Sequence, residues 1–328
     1  MTSRLMKRCL ALAPLFALPA MAHADTQPFT FLTNWYAQTE HGGFYQAKAE
    51  GLYEKSGLDV NLSMGGPQVN VAQLVAAGRA QCGITDDELG TMTAIQEGLP
   101  ITLVATTFQK SLMVLIAHND VKDFAQLKDK TILISSQTRL SAWPWLKSTQ
   151  GYTDEQTRPY TFNLQPFING KNMAQQGYLT SEPYALKQQG IDATVLPLSD
   201  AGFPPYGNVI ACQNSVIEQH PEQVQAFIHA SMQGWKDYLA NPQPGNELIK
   251  KANPNMSQGL LDYAVNTFKS SGILTGGDAA TQGIGTFTPE RIEATWQMAH
   301  KLGLVKLSHD AMNKAYTTQF VKQSPVMP

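Results

Sequence analysis

Strand-like and helix-like segments alternate from Phe29 onward, and this alternation restricts the possible folds more than any other feature of the chain. Phe29 to Thr33 is a short apolar run. Gly42 to Ser56 follows as a helix with Phe44, Tyr45, Ala49, Leu52 and Tyr53 on one side and Gly57 as its stop. Val60, Leu62 and Met64 alternate as a strand, Gly65-Gly66-Pro67 turns the chain into a helix running to Gly78, and Cys82 to Thr85 is a further strand. Asp86 opens a helix that Gly98 and Pro100 close, and Ile101 to Phe108 is a β-branched strand. A β-α-β-α-β-α-β order predicts an α/β unit with a mostly parallel sheet covered on both faces.

Two adjacent strand-like runs, Ile101 to Phe108 and Leu112 to Ala117, suggest that the chain then changes sheet. A second α/β segment has a short helix at Asp123 to Leu127, a strand at Thr131 to Ser135 and a helix near Trp143 to Thr149. Further strands are expected at Thr161 to Leu164, Tyr178 to Thr180 and Thr194 to Leu196. After the Gly- and Pro-rich stretch Gly202 to Gly207 comes a strand at Val209 to Cys212, and then a long helix that Pro221 begins and Asn241-Pro242 ends. The remainder is helical, most clearly at Leu260 to Phe268 and Ile292 to Leu302.

The ends and the composition bound the setting. Arg4, Lys7 and Arg8 precede an apolar stretch from Cys9 to Met21 and then Ala22-His23-Ala24, the pattern of a cleavable export signal. The stretch is interrupted by Pro14 and Pro19 and is shorter than the roughly 20 residues of a membrane-spanning helix. Cleavage is expected before Asp25, leaving a soluble periplasmic protein; Cys9 lies too close to the basic end to be a lipidated first residue. Removal of three bases takes 24 basic against 26 acidic residues to 21 against 26, and no basic cluster argues for nucleic acid. Cys82 and Cys212 stand far apart in apolar runs and are expected as separate small buried residues, neither a pair nor a metal set.

Ligands in such sheets bind beyond the carboxyl ends of strands. That rule gathers four loops, carrying Trp35, Glu40 and His41, then Gly66 and Gln68, then Asp86, then Thr107. Trp35 is placed to stack on a ligand. Asp86 serves equally as a helix N-cap, and His41 as a packing histidine. No nucleophile elbow, P-loop, dinucleotide fingerprint or metal spacing is present, so neither catalytic residues nor a cofactor are assigned.

Asn34-Trp35, the block Glu40 to Tyr45, Gly57 to Val60 and Gly65 to Asn70 resemble the NMT1/THI5-like solute-binding proteins, the group that includes pyrimidine-precursor and sulfonate binders. Trp143 to Lys147 and Gln176 to Tyr184 resemble one branch of it. The resemblance implies a type II periplasmic-binding fold, two α/β lobes joined by two crossing strands, with ligand in the cleft. It divides the chain into a signal at 1–24, first-lobe segments at 25–112 and 208–328, and a second lobe at 113–207. It adds Arg139, Trp143, Tyr178, Glu182 and Tyr184 to the cleft and an ABC permease in the inner membrane as partner, the binder itself being a monomer. Rings beside carboxylates suit an aminopyrimidine of the thiamine-precursor kind, whereas Arg139 suits a sulfonate or aromatic acid. An enzyme of the same family that makes the thiamine pyrimidine from its own histidine and bound pyridoxal phosphate supplies a third alternative, with His41 and Lys48 in those places.

Overall fold

A computed structural model describes residues 26–328, so the export signal expected at 1–24 lies outside the described residues. The first sheet contains β1 (Gln27–Leu32), β2 (Leu58–Ser63), β3 (Cys82–Thr85) and β4 (Ile101–Phe108). The chain then crosses to a second sheet made of β5 (Met113–His118), β6 (Thr131–Ile134), β7 (Thr157–Pro159), β8 (Met173–Tyr178) and β9 (Ala193–Pro197). It returns to the first sheet as β10 (Gly207–Gln213). The strand orders are β2-β1-β3-β10-β4 and β7-β6-β8-β5-β9.

Each sheet is mostly parallel, as expected, with four of its five strands running the same way and one reversed. The strand laid down on each crossing runs against its neighbours: β10 is antiparallel to β3 and β4, and β5 is antiparallel to β8 and β9. Local patterning gives strand positions, but it carries no signal for a strand that enters the sheet from the other lobe.

Several elements differ from expectation. The helix expected over Gly42 to Ser56 is two, Gly42–Ala49 and Leu52–Lys55, because Gly51 between them is left-handed at φ 65°. The strand expected at Thr161 to Leu164 is instead β7, four residues earlier, and Phe162 itself is left-handed at φ 62°. The strand expected from Tyr178 ends there, since β8 hides two glutamines, Gln175 and Gln176, in a buried run. Cys82 and Cys212 are not separate: they form a disulfide between β3 and β10, 130 residues apart in sequence. The antiparallel register sets Cys82 opposite Cys212, a juxtaposition that their spacing in sequence conceals.

Packing places the site loops. The long helix Pro221–Ala240 lies against Gly42–Ala49, and Phe29, Phe31, Phe44, Tyr53, Phe227 and Trp235 fill the space beneath. A Cβ on Gly43 would sit 2.2 Å from the Trp235 ring, so only glycine lets the two helices approach this closely. That approach fixes the single 3-10 turn Thr39–His41 at the head of the helix. A Cβ on Gly65 would sit 2.2 Å from the Thr33 carbonyl, so the Gly65-Gly66 turn can lie directly on the loop that carries Asn34 and Trp35.

Candidate functional site

A small cavity at the junction of the lobes is lined by Asn34, Trp35, Gln38, Glu40, His41, Asp86, Ser135, Gln176, Tyr178, Glu182 and Asn208. The first lobe contributes the loop after β1 and the start of the helix after β3. The second contributes the ends of β6 and β8, and Asn208 comes from the returning strand β10. Six of the twelve residues expected from the sequence meet here: Trp35, Glu40, His41, Asp86, Tyr178 and Glu182.

Two asparagines missed in the sequence hold these groups together. Asn34 Nδ2 donates to Asp86 Oδ1 at 2.9 Å and to Asn208 Oδ1 at 3.3 Å. Its Oδ1 lies 3.0 Å from His41 Nε2, which donates to it when the Asn34 amide is oriented to donate to Asp86. Asn208 is left-handed at φ 49°, a conformation asparagine tolerates better than most residues. Its Oδ1 also accepts from the Tyr178 hydroxyl of the second lobe at 3.1 Å, and its backbone N–H donates to the Asp86 carbonyl at 2.9 Å. Asn34 stands in the Asn34-Trp35 block that carries the family resemblance, whereas Asn208 belongs to no such block and its position immediately after Gly207, at the second crossing, is the one sequence signal that could have found it.

The electrostatics follow from burial. Glu40 accepts a hydrogen bond from Thr180 Oγ1 across the cleft, and burial pushes its carboxyl up to about 7, with the charge of Glu182 adding to the rise. Glu182 accepts from the Tyr160 hydroxyl at 2.7 Å and from the Tyr178 backbone N–H at 2.8 Å, and burial still raises it above the ordinary range. Asp86 is raised to about 6 by burial, against the opposing bond from Asn34. Asp87 is raised further, for the same first reason. Burial lowers His41 to about 3, against the opposing backbone contact from Tyr36, so its ring is neutral. None of the ion pairs among the described residues includes Glu40, Asp86, Asp87 or Glu182.

Asp87, rather than Asp86, caps the helix Glu88–Gln96, accepting from Gly90 N at 2.8 Å. Asp86 is thereby free to face the cavity.

Trp35 stacks on Tyr160 of the second lobe, with ring centroids 6.0 Å apart and planes 17° from parallel. Phe162 closes the edge of this stack against Trp35 and Tyr36, at 5.9 Å from each. The cavity volume is about 20 Å³, room for on the order of one water. The lobes are thus closed on one another, and a solute can enter only when they part.

The other six expected residues lie elsewhere. Arg139 is exposed and donates to Thr157 Oγ1 at 2.8 Å, away from the cleft. Trp143 is buried in the core with its indole N–H on Asp154 at 2.8 Å. Tyr184 pairs with Tyr263 on the outer face. Gln68 accepts from Ser136 Oγ at 3.0 Å and so bridges the lobes outside the cavity. Gly66 lies over the Tyr36 ring, and Thr107 is buried with no partner for its hydroxyl.

A family model described as NMT1/THI5 like matches residues 38–244, more than half of the chain. The chain belongs to this family. The riboflavin-binding protein RibY of Chloroflexus aurantiacus is 26% identical over 322 residues, which cover 95% of this chain and 91% of the relative. The 4-amino-5-hydroxymethyl-2-methylpyrimidine phosphate synthase of Schizosaccharomyces pombe is 28% identical over 237 residues, 66% of this chain and 67% of that enzyme. The periplasmic aliphatic sulphonate binding protein SsuA of Escherichia coli superposes with a TM-score of 0.65 at 14% identity, covering 92% of this chain and 94% of that one. The fold of this NMT1/THI5-like chain is therefore the type II periplasmic-binding fold, two α/β lobes joined by crossing strands. Among the described residues no helix is long and apolar enough to cross a membrane.

Proposed function

We propose that this chain is the periplasmic solute-binding protein of an ABC importer, and that it captures a flat nitrogen heterocycle bearing N–H groups, of which an aminopyrimidine thiamine precursor is the first candidate. On this assignment a signal at 1–24 is cleaved before Asp25, the lobes divide near 112 and 207, and the monomer delivers its solute to an inner-membrane permease. The cleft residues that contact the solute are Trp35, Glu40, His41, Asp86, Tyr178 and Glu182.

The observation that carries the proposal is a cleft with aromatic walls, several buried acidic side chains and no cation. An unpaired buried charge costs several kcal/mol, and a solute that supplies N–H donors or positive charge offsets that cost. A phosphate, sulfonate or carboxylate would add to it. When the lobes separate by about one ring thickness, about 3.5 Å, the stacked Trp35 and Tyr160 can admit a flat ring between them. The sulfonate or aromatic-acid alternative relied on Arg139, whose guanidinium is engaged by Thr157.

The enzyme alternative has less support. His41 is buried and neutral, and Lys48 donates to the Val60 carbonyl rather than facing the cavity. Incubation with pyridoxal phosphate checks this directly: Schiff-base absorbance followed by release of a pyrimidine would favour an enzyme.

A flavin ring is the second reading, because the relative that spans 95% of the chain is a riboflavin binder and the flavin ring is likewise flat with an N–H edge. The test of the proposal is a pair of variants titrated with the tightest heterocycle from a thermal-shift screen. Glu182→Gln should weaken binding about tenfold or more, the loss of a charge-assisted bond, and Arg139→Ala should leave it unchanged. The reverse pattern would refute the heterocycle assignment.

A further inference from the structure

A second chamber of about 30 Å³ adjoins the first at the lobe junction, and Asp86 lines both. The wall between them is completed from the second lobe by Gln137, whose Nε2 donates to Asp86 Oδ1 at 3.4 Å. Because this contact joins opposite lobes, it breaks when they separate, and the two chambers then become one continuous cleft. The closed structure preserves them as two compartments of different character.

The first compartment has aromatic walls. The second presents the side chains of Asn70, Gln137 and Ser141 over an apolar floor that includes Ala94. Ser141 is 2% exposed, and its hydroxyl lies near the Asp87 carboxyl, which it helps to lower, without forming a close hydrogen bond to any group of the chain. A buried hydroxyl held only by a loose contact gains from a closer partner supplied by a solute. Amide and hydroxyl groups both donate and accept, which matches them to alcohols. The charged residues that line the chamber, Asp86 and Glu97, are both acids, and no Lys, Arg or His joins them.

We infer that this chamber is a subsite for an uncharged, hydroxylated arm of the solute, and that the same acids exclude the phosphorylated form of that arm. The inference rests on the heterocycle assignment and narrows it: the ring lies between Trp35 and Tyr160, the arm passes Asp86, and Ser141 and Gln137 bind its hydroxyls.

Three probes on the same dimethylated tricyclic skeleton, lumichrome as its alloxazine tautomer and the other two as isoalloxazines, separate these contributions, with fluorescence quenching as readout and lumiflavin, the N10-methyl isoalloxazine, as the control for the tautomer. Riboflavin carries an uncharged hydroxylated arm, lumichrome lacks the arm, and riboflavin 5′-phosphate carries it phosphorylated. Riboflavin should bind about tenfold or more tighter than either of the others. Filling the chamber with Ala94→Leu should bring riboflavin to within about threefold of lumichrome while leaving lumichrome unchanged. If Ala94→Leu does not fold by circular dichroism, Ser141→Ala should lower the riboflavin-to-lumichrome affinity ratio at least about threefold. Equal binding of riboflavin and lumichrome, equal binding of the phosphorylated form, or a ratio unaltered in the folded variant would overturn the subsite. Ring binding without arm preference overturns the subsite alone, whereas failure of lumichrome and a bare aminopyrimidine to bind overturns the heterocycle assignment and this inference with it.

Discussion

Asp86 and Asp87 show what a neighbouring pair of identical side chains can conceal. The sequence makes either a helix cap, and the backbone decides between them: Asp87 faces the Gly90 N–H and Asp86 faces Asn34. The same limit governs Arg139. Successive residues of a helix point about 100° apart, so within Ser136–Leu140 a residue two places from Gln137 points away from it. Gln137 reaches Asp86 and Arg139 reaches Thr157. Loop membership was legible for Trp35, Glu40 and His41, because strand ends can be read from patterning, while side-chain direction was not. Trp35 and Trp143, both expected in the cleft, should separate cleanly. Trp35→Ala should weaken heterocycle binding about tenfold through lost stacking and area. Trp143→Phe should leave affinity unchanged and cost about 1 kcal/mol of stability for the lost bond to Asp154, as titration calorimetry and urea denaturation would report.

At the level of elements, strand and helix positions followed the sequence wherever a hydrophobic period was long, as in Pro221–Ala240. They failed where a polar pair sits in a buried strand, as in β8, or where a non-glycine residue turns left-handed, as at Phe162. That backbone costs roughly 1–2 kcal/mol, offset here by packing of the Phe162 ring against Trp35 and Tyr36 across the cleft. The disulfide is a second feature set by topology alone, because only the antiparallel return of β10 brings Cys212 to Cys82. Closing a loop of 130 residues restricts the unfolded chain strongly. Replacing both cysteines with serine should therefore cost about 2–5 kcal/mol in denaturant unfolding, and reduction with dithiothreitol should lower the melting temperature.

At the scale of the whole molecule, closure buries Glu40, Asp86 and Glu182 together without a cation. Their carboxyls are raised when closed and return toward ordinary values when opening hydrates them, so the closed form holds more protons. Closure without ligand is therefore favoured below the unperturbed carboxylate range and lost as pH rises through about 6 for Asp86 and about 7 for Glu40. A shift of the size seen at Glu40 corresponds to about 3 kcal/mol. The radius of gyration by small-angle X-ray scattering should rise between about pH 5 and pH 8, and Glu40→Gln should blunt that change; a radius independent of pH would contradict the closure linkage. The central claim is that an acid-rich, aromatic cleft of this family member receives a flat N–H-bearing heterocycle rather than an anion. Titration calorimetry at neutral pH with an aminopyrimidine, lumichrome and an alkanesulfonate tests it most directly. Heterocycle binding at micromolar affinity or better, with no heat from the sulfonate, is the predicted result, and sulfonate binding in the absence of any heterocycle binding would contradict it.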